Sequence, residues 1–263
     1  MKYFGSKSRI AKHIVPILQK EIDENHITTY FEPFVGGANI IDKIICPRRV
    51  ANDLNRYLIE LYEHIIKGGE LPESVSKELY DRARIAWHKN EEDMNVSKSY
   101  DLDWWEIGAI GFLASYNGRW FDGGYAKSGY EKTKYGLRYR DYYRESKDNL
   151  LKQIPLLNDV EFYYLSYGYF TPEIEDSIVG KGTLIYCDPP YANTKQFHNA
   201  TKFDYEEFWN TMREWSKSGA IVYISELEAP DDFECVWEQE VSRSVNAKNK
   251  TRATEKLFKW KGE

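Results

Sequence analysis

The sequence lacks any apolar run long enough to cross a membrane. No stretch of its 263 residues approaches 18 consecutive apolar positions. The first residues also lack an apolar segment followed by a small-residue cleavage site, so we expect a cytoplasmic protein. Hydrophobic residues make up 42% of the chain and charged residues 30%, which excludes a disordered or fibrous protein and is typical of a globular one.

Cysteine is also scarce. Cys46, Cys187 and Cys235 form neither a CxxC pair nor a cluster with histidine, which argues against a disulfide framework and against a zinc site. We expect each of the three to be a small buried hydrophobic residue. The five histidines are scattered along the chain, and we expect no metal site.

An excess of positive charge is present only locally. The net charge of −6 argues against a polyanionic partner, but the basic residues are concentrated. Residues 1–20 hold five basic residues and no acidic one, residues 127–147 hold seven against three, and residues 242–261 hold seven against one. Such segregation permits phosphate binding despite an acidic total, although ordinary solvated faces are the alternative.

The predicted elements follow the order of a doubly wound α/β sheet. The predicted strands are 28–34, 48–52, 158–167, 182–191 and 220–225, with a closing hairpin of 233–241 and 254–260. The predicted helices include 8–24, a short one through Ile40, Ile41, Ile44 and Ile45, then 54–67, 140–154 and 203–219. Residues 71–154 differ in character, with helices followed by a Gly-, Tyr- and Arg/Lys-rich loop or hairpin. The sequence therefore predicts a core of 1–70 and 155–263 that is interrupted by an inserted subdomain.

The first candidate site is the segment FEPFVGGAN, residues 31–39. Glycines at the tip of a first strand let a ligand approach the backbone closely. Asp53 comes just after the second strand and suits the diol of a ribose. The spelling is not GxGxxG, so a dinucleotide is not favoured, and a plain tight turn is the alternative for Gly36 and Gly37.

The second candidate site is Asp188-Pro189-Pro190-Tyr191, which ends a buried strand. Open α/β sheets bind ligands at the carboxyl ends of their strands. The exocyclic amine of a base is a poor nucleophile, because its lone pair is delocalised into the ring. Asp188 and the carbonyl of Pro189 are placed to accept its two hydrogens, and Tyr191 to stack on the base. A strand that ends in a proline turn with a solvated acid is the alternative.

The third candidate site is the segment Tyr3-Phe4-Gly5-Ser6-Lys7. An aromatic pair suits a sulfonium cation or an adenine ring, and Lys7 suits a carboxylate; a helix N-cap with solvated bases is the alternative. Taken together and in this order, the three motifs resemble those of the Dam-like (D12-class) N6-adenine-specific DNA methyltransferases. Two positions depart from the family pattern: Ala38 replaces a glycine, and Tyr3 stands where many relatives have tryptophan.

The resemblance implies a Rossmann-like, S-adenosylmethionine-dependent methyltransferase sheet with an inserted, mostly helical DNA-recognition subdomain. Residues 1–70 and 155–263 would be the catalytic core, and 71–154 the target-recognition subdomain. The implied catalytic residues are Asp188, Pro189, Pro190 and Tyr191. The implied cofactor-binding residues are Tyr3, Lys7, Glu32, Phe34, Gly36, Asp53 and Asp188.

The insert supplies the expected DNA contacts. The segment around Tyr116, Asn117 and Arg119 is similar to the YNG loop of the family, whose side chains suit base edges and a wedge into the base stack. The basic aromatic tract that follows suits phosphates, through Lys132, Lys134, Arg138 and Arg140. A Trp/Phe-rich mini-core with surface arginine is the alternative. We expect a monomer that acts on double-stranded DNA, without a membrane or a metal, in a restriction–modification setting.

Three other functions remain open from the sequence alone. N4 methylation of cytosine also uses an exocyclic amine and is the nearest rival. A DNA-binding module with an inactive cofactor site is a rival from another class. Methylation of RNA or of a protein amide is a third, although the amide enzymes generally resemble NPPY rather than the DPPY found here.

Overall fold

The computed structural model describes residues 1–92, 102–173, 177–191, 203–246 and 249–262. The helices are α1 (Ala11–Glu24), α2 (Arg56–Ile66), α3 (Lys77–Glu92), α4 (Trp104–Leu113), α5 (Tyr142–Gln153) and α6 (Tyr205–Lys217). The strands are β1 (Thr29–Glu32), β2 (Arg48–Asn52), β3 (Gly129–Thr133), β4 (Gly136–Arg140), β5 (Val160–Tyr163), β6 (Thr183–Cys187), β7 (Ile221–Glu226), β8 (Phe233–Asn246) and β9 (Asn249–Trp260). Within the described ranges, no helix is long and apolar enough to span a membrane.

A mostly parallel sheet is the centre of the fold. Its seven strands have the order β5-β2-β1-β6-β7-β9-β8. β1 is parallel to β2 and β6, β6 is parallel to β7, and β9 is antiparallel to β7 and β8. Every residue of β6 is buried, which explains its continuous apolar sequence. The predicted α/β fold class is confirmed.

Local sequence signals set the helix ends. Asn55 caps α2, since its side chain accepts a hydrogen bond from the amide of Leu58 at 3.2 Å. Asp204 caps α6 in the same way, and its side chain accepts from the amide of Glu207 at 3.0 Å. α6 ends just before Gly219, which has a φ of +94° and so occupies the left-handed region that favours glycine.

The chain divides into two compact units. The first unit is Met1–Val15, Gly36–Ile44 and Asp53–Tyr164; the second unit is Pro16–Val35, Ile45–Asn52 and Leu165–Glu263. The predicted insert of 71–154 falls within the first unit, together with the amino-terminal segment and the glycine pair. The boundaries 1–70, 71–154 and 155–263 stay a prediction.

Two local predictions were wrong. The helix expected through Ile40–Ile45 is a single 3-10 turn, Ile41–Lys43, because Ile44 already has the extended φ/ψ of the approach to β2. Ile45 is accordingly 80% exposed. Cys46 and Cys187 are buried as expected, but Cys235 is exposed, because it lies on β8 at the edge of the sheet.

Candidate active site

The strand ends of the second unit bring polar side chains to one edge. β1 ends at Glu32, its neighbour β2 ends at Asn52, and its other neighbour β6 leads into Asp188. Because these strands are parallel, their carboxyl ends meet at the same edge of the sheet. Asn52 holds the segment after β5 there, since its side chain both donates to the carbonyl and accepts from the amide of Leu165, each at 2.9 Å.

Glu32 is a buried carboxylate at this edge. Its side chain is 2% exposed and accepts a hydrogen bond from the hydroxyl of Tyr30 at 2.7 Å. Burial, and then the charge of Glu32, raises the pKa of Tyr30 well above its ordinary value, so this hydroxyl remains a donor. The second unit therefore contains a fixed acceptor with little access to water, which favours a cation or an N–H donor.

The acid-proline-proline-tyrosine corner follows β6 directly. Asp188 is half-buried, Pro189 is buried, and Tyr191 is 8% exposed. The carbonyl of Pro190 accepts a hydrogen bond from the hydroxyl of Tyr205 at 2.8 Å, so it is already engaged. The structure thus places Asp188 beside a rigid turn, and it leaves the role predicted for the Pro189 carbonyl untested.

Two buried tyrosines report the electrostatics of the corner. The pKa values of Tyr186 and Tyr191 are raised well above the ordinary value, first by burial and next by the charge of Asp188. Tyr186 also shares a hydrogen bond with the hydroxyl of Ser225 at 2.8 Å. Asp188 is itself half-buried and lies near both buried tyrosines, so its interaction with an amine or a cation would be stronger than in bulk water.

An aromatic cluster surrounds Phe34 in the second unit. Its ring centroid lies 5.3 Å from that of Tyr167, 5.9 Å from Phe208 and 6.0 Å from Phe203. Burial raises the pKa of Tyr167 to about 12, with smaller contributions from Glu207 and Asp204. Phe34 was predicted as a site residue, whereas Tyr167 was not; the signal for it was the aromatic segment SYGYF, which begins at the end of the predicted strand 158–167.

The glycine loop in the first unit adopts an unusual backbone conformation. Gly36 has a φ of +47° and Ala38 a φ of +52°, both in the left-handed region. Ala38 thus takes up the conformation that a glycine would adopt more easily. The carbonyl of Gly36 accepts a hydrogen bond from the hydroxyl of Tyr62 at 3.0 Å, which fixes the loop against α2.

Asp53 joins the glycine loop to the start of α2. One carboxylate oxygen accepts from the amide of Gly36 at 3.0 Å, and the other accepts from the amide of Asn55 at 2.9 Å. Burial nevertheless raises the pKa of Asp53. Because each carboxylate oxygen has a second lone pair, Asp53 can still accept hydrogen bonds from a ligand.

The amino-terminal segment packs against the same loop. A Cβ at Gly36 would lie 2.9 Å from the Tyr3 ring, and one at Gly37 would lie 2.8 Å from the Cβ of Tyr3, so Tyr3 packs closely on both glycines. The Tyr3 ring also lies 5.6 Å from that of Phe112. Lys7 is buried. The structure therefore places three predicted residues, Tyr3, Gly36 and Asp53, around one loop.

The YNG segment of the first unit is partly core and partly exposed. Trp120 is buried, while Tyr116, Asn117 and Arg119 are exposed. The guanidinium of Arg119 lies 4.3 Å from the ring centroid of Phe4. A Trp/Phe core therefore supports a set of exposed polar side chains, and the DNA contacts of those side chains stay a prediction.

The basic aromatic tract forms an exposed hairpin. β3 and β4 pair in antiparallel register, and Tyr135 at their turn is 86% exposed. Arg138 and Arg140 both form ion pairs with Glu145, which offsets part of their charge. Among the described residues, no group of three His, Cys, Asp or Glu side chains is arranged to hold a metal ion.

The fold is that of an α/β protein whose polar strand ends meet at one edge of a mostly parallel sheet, the edge at which such folds bind ligands. The model of the D12 class N6 adenine-specific DNA methyltransferase family matches residues 3–220, and the chain belongs to that family. It is a DNA adenine methyltransferase with DNA as its substrate, as the motifs predicted.

Characterised relatives agree with this assignment. The chain is 27% identical over 277 residues to the Type II methyltransferase M.MjaIII of Methanocaldococcus jannaschii, covering 94% of this chain and 90% of that protein. It is 23% identical over 275 residues to the Type II methyltransferase M1.LlaDCHI of Lactococcus lactis, covering 95% and 90%. Type II methyltransferase M.FokI of Planomicrobium okeanokoites is 22% identical over 224 residues, and this chain spans 32% of its length.

Proposed function

We propose that the protein transfers a methyl group from S-adenosylmethionine to the N6 amine of an adenine flipped out of duplex DNA at a specific site. The observation that carries this is the corner formed by Asp188, Pro189, Pro190 and Tyr191 at the carboxyl end of β6. A half-buried carboxylate, a turn of two prolines and a buried aromatic ring are combined there. The adenine-specific family supports the amine of adenine over that of cytosine.

The corner makes a weak nucleophile reactive by position and charge. Asp188 and the carbonyl of Pro189 accept the two hydrogens of the amine, which turns its lone pair away from the ring. Tyr191 stacks on the flipped base. When bound, S-adenosylmethionine supplies an electrophilic methyl group. Asp188 would stabilise the positive charge that develops on the attacking nitrogen as it accepts the methyl group, and the surplus proton of the nitrogen would then be lost to water.

The chemistry of the residues in each unit fits S-adenosylmethionine. In the first unit, Asp53 retains lone pairs for the ribose hydroxyls, Gly36 permits close approach to the backbone, and Tyr3 and Lys7 complete the predicted set. In the second unit, the buried carboxylate of Glu32 favours a cation. Phe34 and Asp188 are the other predicted cofactor residues of that unit.

Exposed residues of the first unit suit duplex DNA. We assign the base edges to Asn117 and Arg119 and the wedge to Tyr116, since all three side chains are exposed. The phosphate contacts come from the hairpin, through Lys132, Lys134, Arg138 and Arg140. The protein acts as a monomer.

Isothermal titration of the purified protein with S-adenosylmethionine, followed by transfer of a labelled methyl group to duplex DNA, tests this function. We expect binding of one donor molecule per chain and label in DNA. DNA binding without binding of the donor would instead indicate an inactive module. Label in RNA or protein but not in DNA would contradict the substrate.

A further inference from the structure

Gln153, the last residue of α5, reaches into the glycine loop of the first unit. Its side-chain nitrogen donates to the carbonyl of Ala38 at 2.8 Å, to the carbonyl of Gly37 at 3.1 Å and to Oδ2 of Asp42 at 2.9 Å. The residue is only 6% exposed. The two hydrogens of one buried amide group are therefore shared among two backbone carbonyls and a carboxylate.

These hydrogen bonds support the part of the glycine loop that has the least regular backbone. The backbone of Gly36 and Ala38 is left-handed, so the loop contains no regular ladder of hydrogen bonds. Buried backbone carbonyls need donors, and a side chain is the usual source where secondary structure is missing. Asp42 is itself fixed, because its Oδ1 accepts from Nζ of Lys43 at 2.6 Å.

The helix that carries Gln153, α5, is also held in place. Asp141 caps α5, since its side chain accepts from the amide of Arg144 at 3.0 Å. The first turn of α5 carries Glu145, which is paired with Arg140 at 3.0 Å and with Lys2 at 3.2 Å. A helix held at its start presents Gln153 at its end in a defined position, as a positioning residue must be.

We propose that Gln153 is a positioning residue for the methyl donor: it holds the backbone of Gly37 and Ala38 in the shape that binds S-adenosylmethionine. The proposal rests on the proposed function. Gln153 acts through the loop and is not a catalytic residue. Its loss should weaken donor binding, because part of the binding energy would then be spent on ordering the loop.

The test compares Gln153→Met with Gln19→Met. Methionine keeps the length and volume of glutamine but removes the donors to the loop and also the oxygen that accepts from the amino group of Met1. Gln19 is a matched control, because its side chain also bridges a backbone segment, donating to the carbonyl and accepting from the amide of Ile45, each at 2.9 Å. Gln19 and Ile45 both lie outside the glycine loop.

For Gln153→Met we expect the Kd and the KM for S-adenosylmethionine to rise about tenfold or more, which corresponds to about 1.4 kcal/mol. The KM for DNA should change less than twofold. Hydrogen exchange of the peptide that spans 36–44 should accelerate. Gln19→Met should leave the Kd for the donor unchanged. If Gln153→Met does not fold, Gln153→Asn keeps the amide but is too short by one methylene, and the same changes are expected.

The outcomes of this test distinguish failure of the proposed function from failure of the positioning role. If the wild-type protein does not bind S-adenosylmethionine, the proposed function fails. If the wild type binds it and the folded Gln153 variants bind equally well, the positioning role alone is wrong. Equal losses in Gln153→Met and Gln19→Met would show a general effect on stability and would also overturn the proposal.

Discussion

The phenol hydroxyl of Tyr191 donates a hydrogen bond to Oε2 of Glu255 at 2.8 Å, and both side chains are buried. Glu255 lies on β9, the strand between β7 and β8. Burial, together with the charges of Asp188 and Glu255, raises the pKa of Tyr191 well above its ordinary value. The hydroxyl therefore stays protonated, and a strand near the end of the chain fixes the ring of the corner tyrosine.

A comparison of Tyr191→Phe with Tyr191→Ala should separate the contribution of the hydroxyl from that of the ring. The phenylalanine variant keeps the ring but removes a donor from buried Glu255, so the free energy of unfolding should fall by about 1–3 kcal/mol. The alanine variant should also lose base stacking, which lowers single-turnover transfer by a further factor of about 5–150. Chemical denaturation and rapid-quench kinetics measure the two effects. Equal transfer rates in both variants would contradict stacking by the ring.

Gly36→Ala should impair the glycine loop more than Gly68→Ala impairs its own turn. Both glycines have positive φ, +47° and +86°, so alanine costs about 1–2 kcal/mol of backbone strain at each. A Cβ at Gly36 would also lie 2.9 Å from the Tyr3 ring, whereas nothing lies within 4 Å of one at Gly68. We expect weaker donor binding for Gly36→Ala alone, measured by calorimetry. Matching affinities in the two variants would refute the loop as a binding element.

Donor binding should weaken on acidification because of Asp53. Burial raises its pKa, and the amides of Asn55 and Gly36 lower it by less. Only the ionised carboxylate offers acceptors on both oxygens, so affinity falls as the pH drops through this raised pKa, starting at a higher pH than for an ordinary aspartate. Calorimetry between pH 7.5 and about pH 4.5 measures the decline. Asp53→Asn should bind weakly throughout; a variant with wild-type affinity would exclude contact between Asp53 and the ribose.

Asp232→Asn should reduce stability without affecting donor binding. Arg213 forms a two-bond pair with Asp232, at 2.6 and 2.9 Å, which lowers the pKa of this carboxyl to about 2. The side chains are 27% and 39% exposed, so solvent limits the contribution to about 1 kcal/mol. A lowered pKa stabilises the fold above the unfolded value of about 4, and this is lost as the pH falls towards 2.

Thermal unfolding at pH 7 and at low pH measures this difference. We expect Tm to be about 2–4 °C lower for Asp232→Asn at pH 7 and the gap to close on acidification. Glu24→Gln is the control, because its pair with Lys20 is 3.8 Å long and exposed. A gap that persists at low pH would mean that the charge of Asp232 is not its source.

Lys134→Ala should weaken binding to duplexes of any sequence and reduce the salt dependence of binding by about one counterion. Lys134 precedes the hairpin tip at Tyr135, which is 86% exposed. Lys20→Ala on α1 also removes a charge from an exposed side chain and should leave DNA affinity unchanged. Fluorescence anisotropy at several salt concentrations measures both; an unchanged slope for Lys134→Ala would remove the hairpin from the interface.

The strand ends of the site were predictable, because local signals mark them. Apolar runs that stop at Pro33 or at Pro189 identify buried strands and their carboxyl ends. The supporting contacts were not predictable. Gln153 meets Ala38 across 115 residues of sequence, and Glu255 meets Tyr191 across 64. Neither Gln153 nor Glu255 lies in a motif, and only folding brings each of them to its partner.

For the surface of the insert, the sequence predicted the kind of structure but not the ion pairs between its side chains. The pattern of Gly, Tyr, Arg and Lys indicated a loop or a hairpin, and β3 and β4 show that part of it is a hairpin. The sequence did not show that Glu145 pairs with Arg138 and Arg140, because the helical position of Glu145 gives no sign of the hairpin beside it.

Nucleoside mass spectrometry of duplex DNA treated with the wild type and with Asp188→Ala tests the central claim most directly. We expect N6-methyladenine from the wild type and none from the variant, while the variant keeps its fold and its circular dichroism spectrum. N4-methylcytosine from the wild type, or wild-type levels of N6-methyladenine from Asp188→Ala, would contradict it.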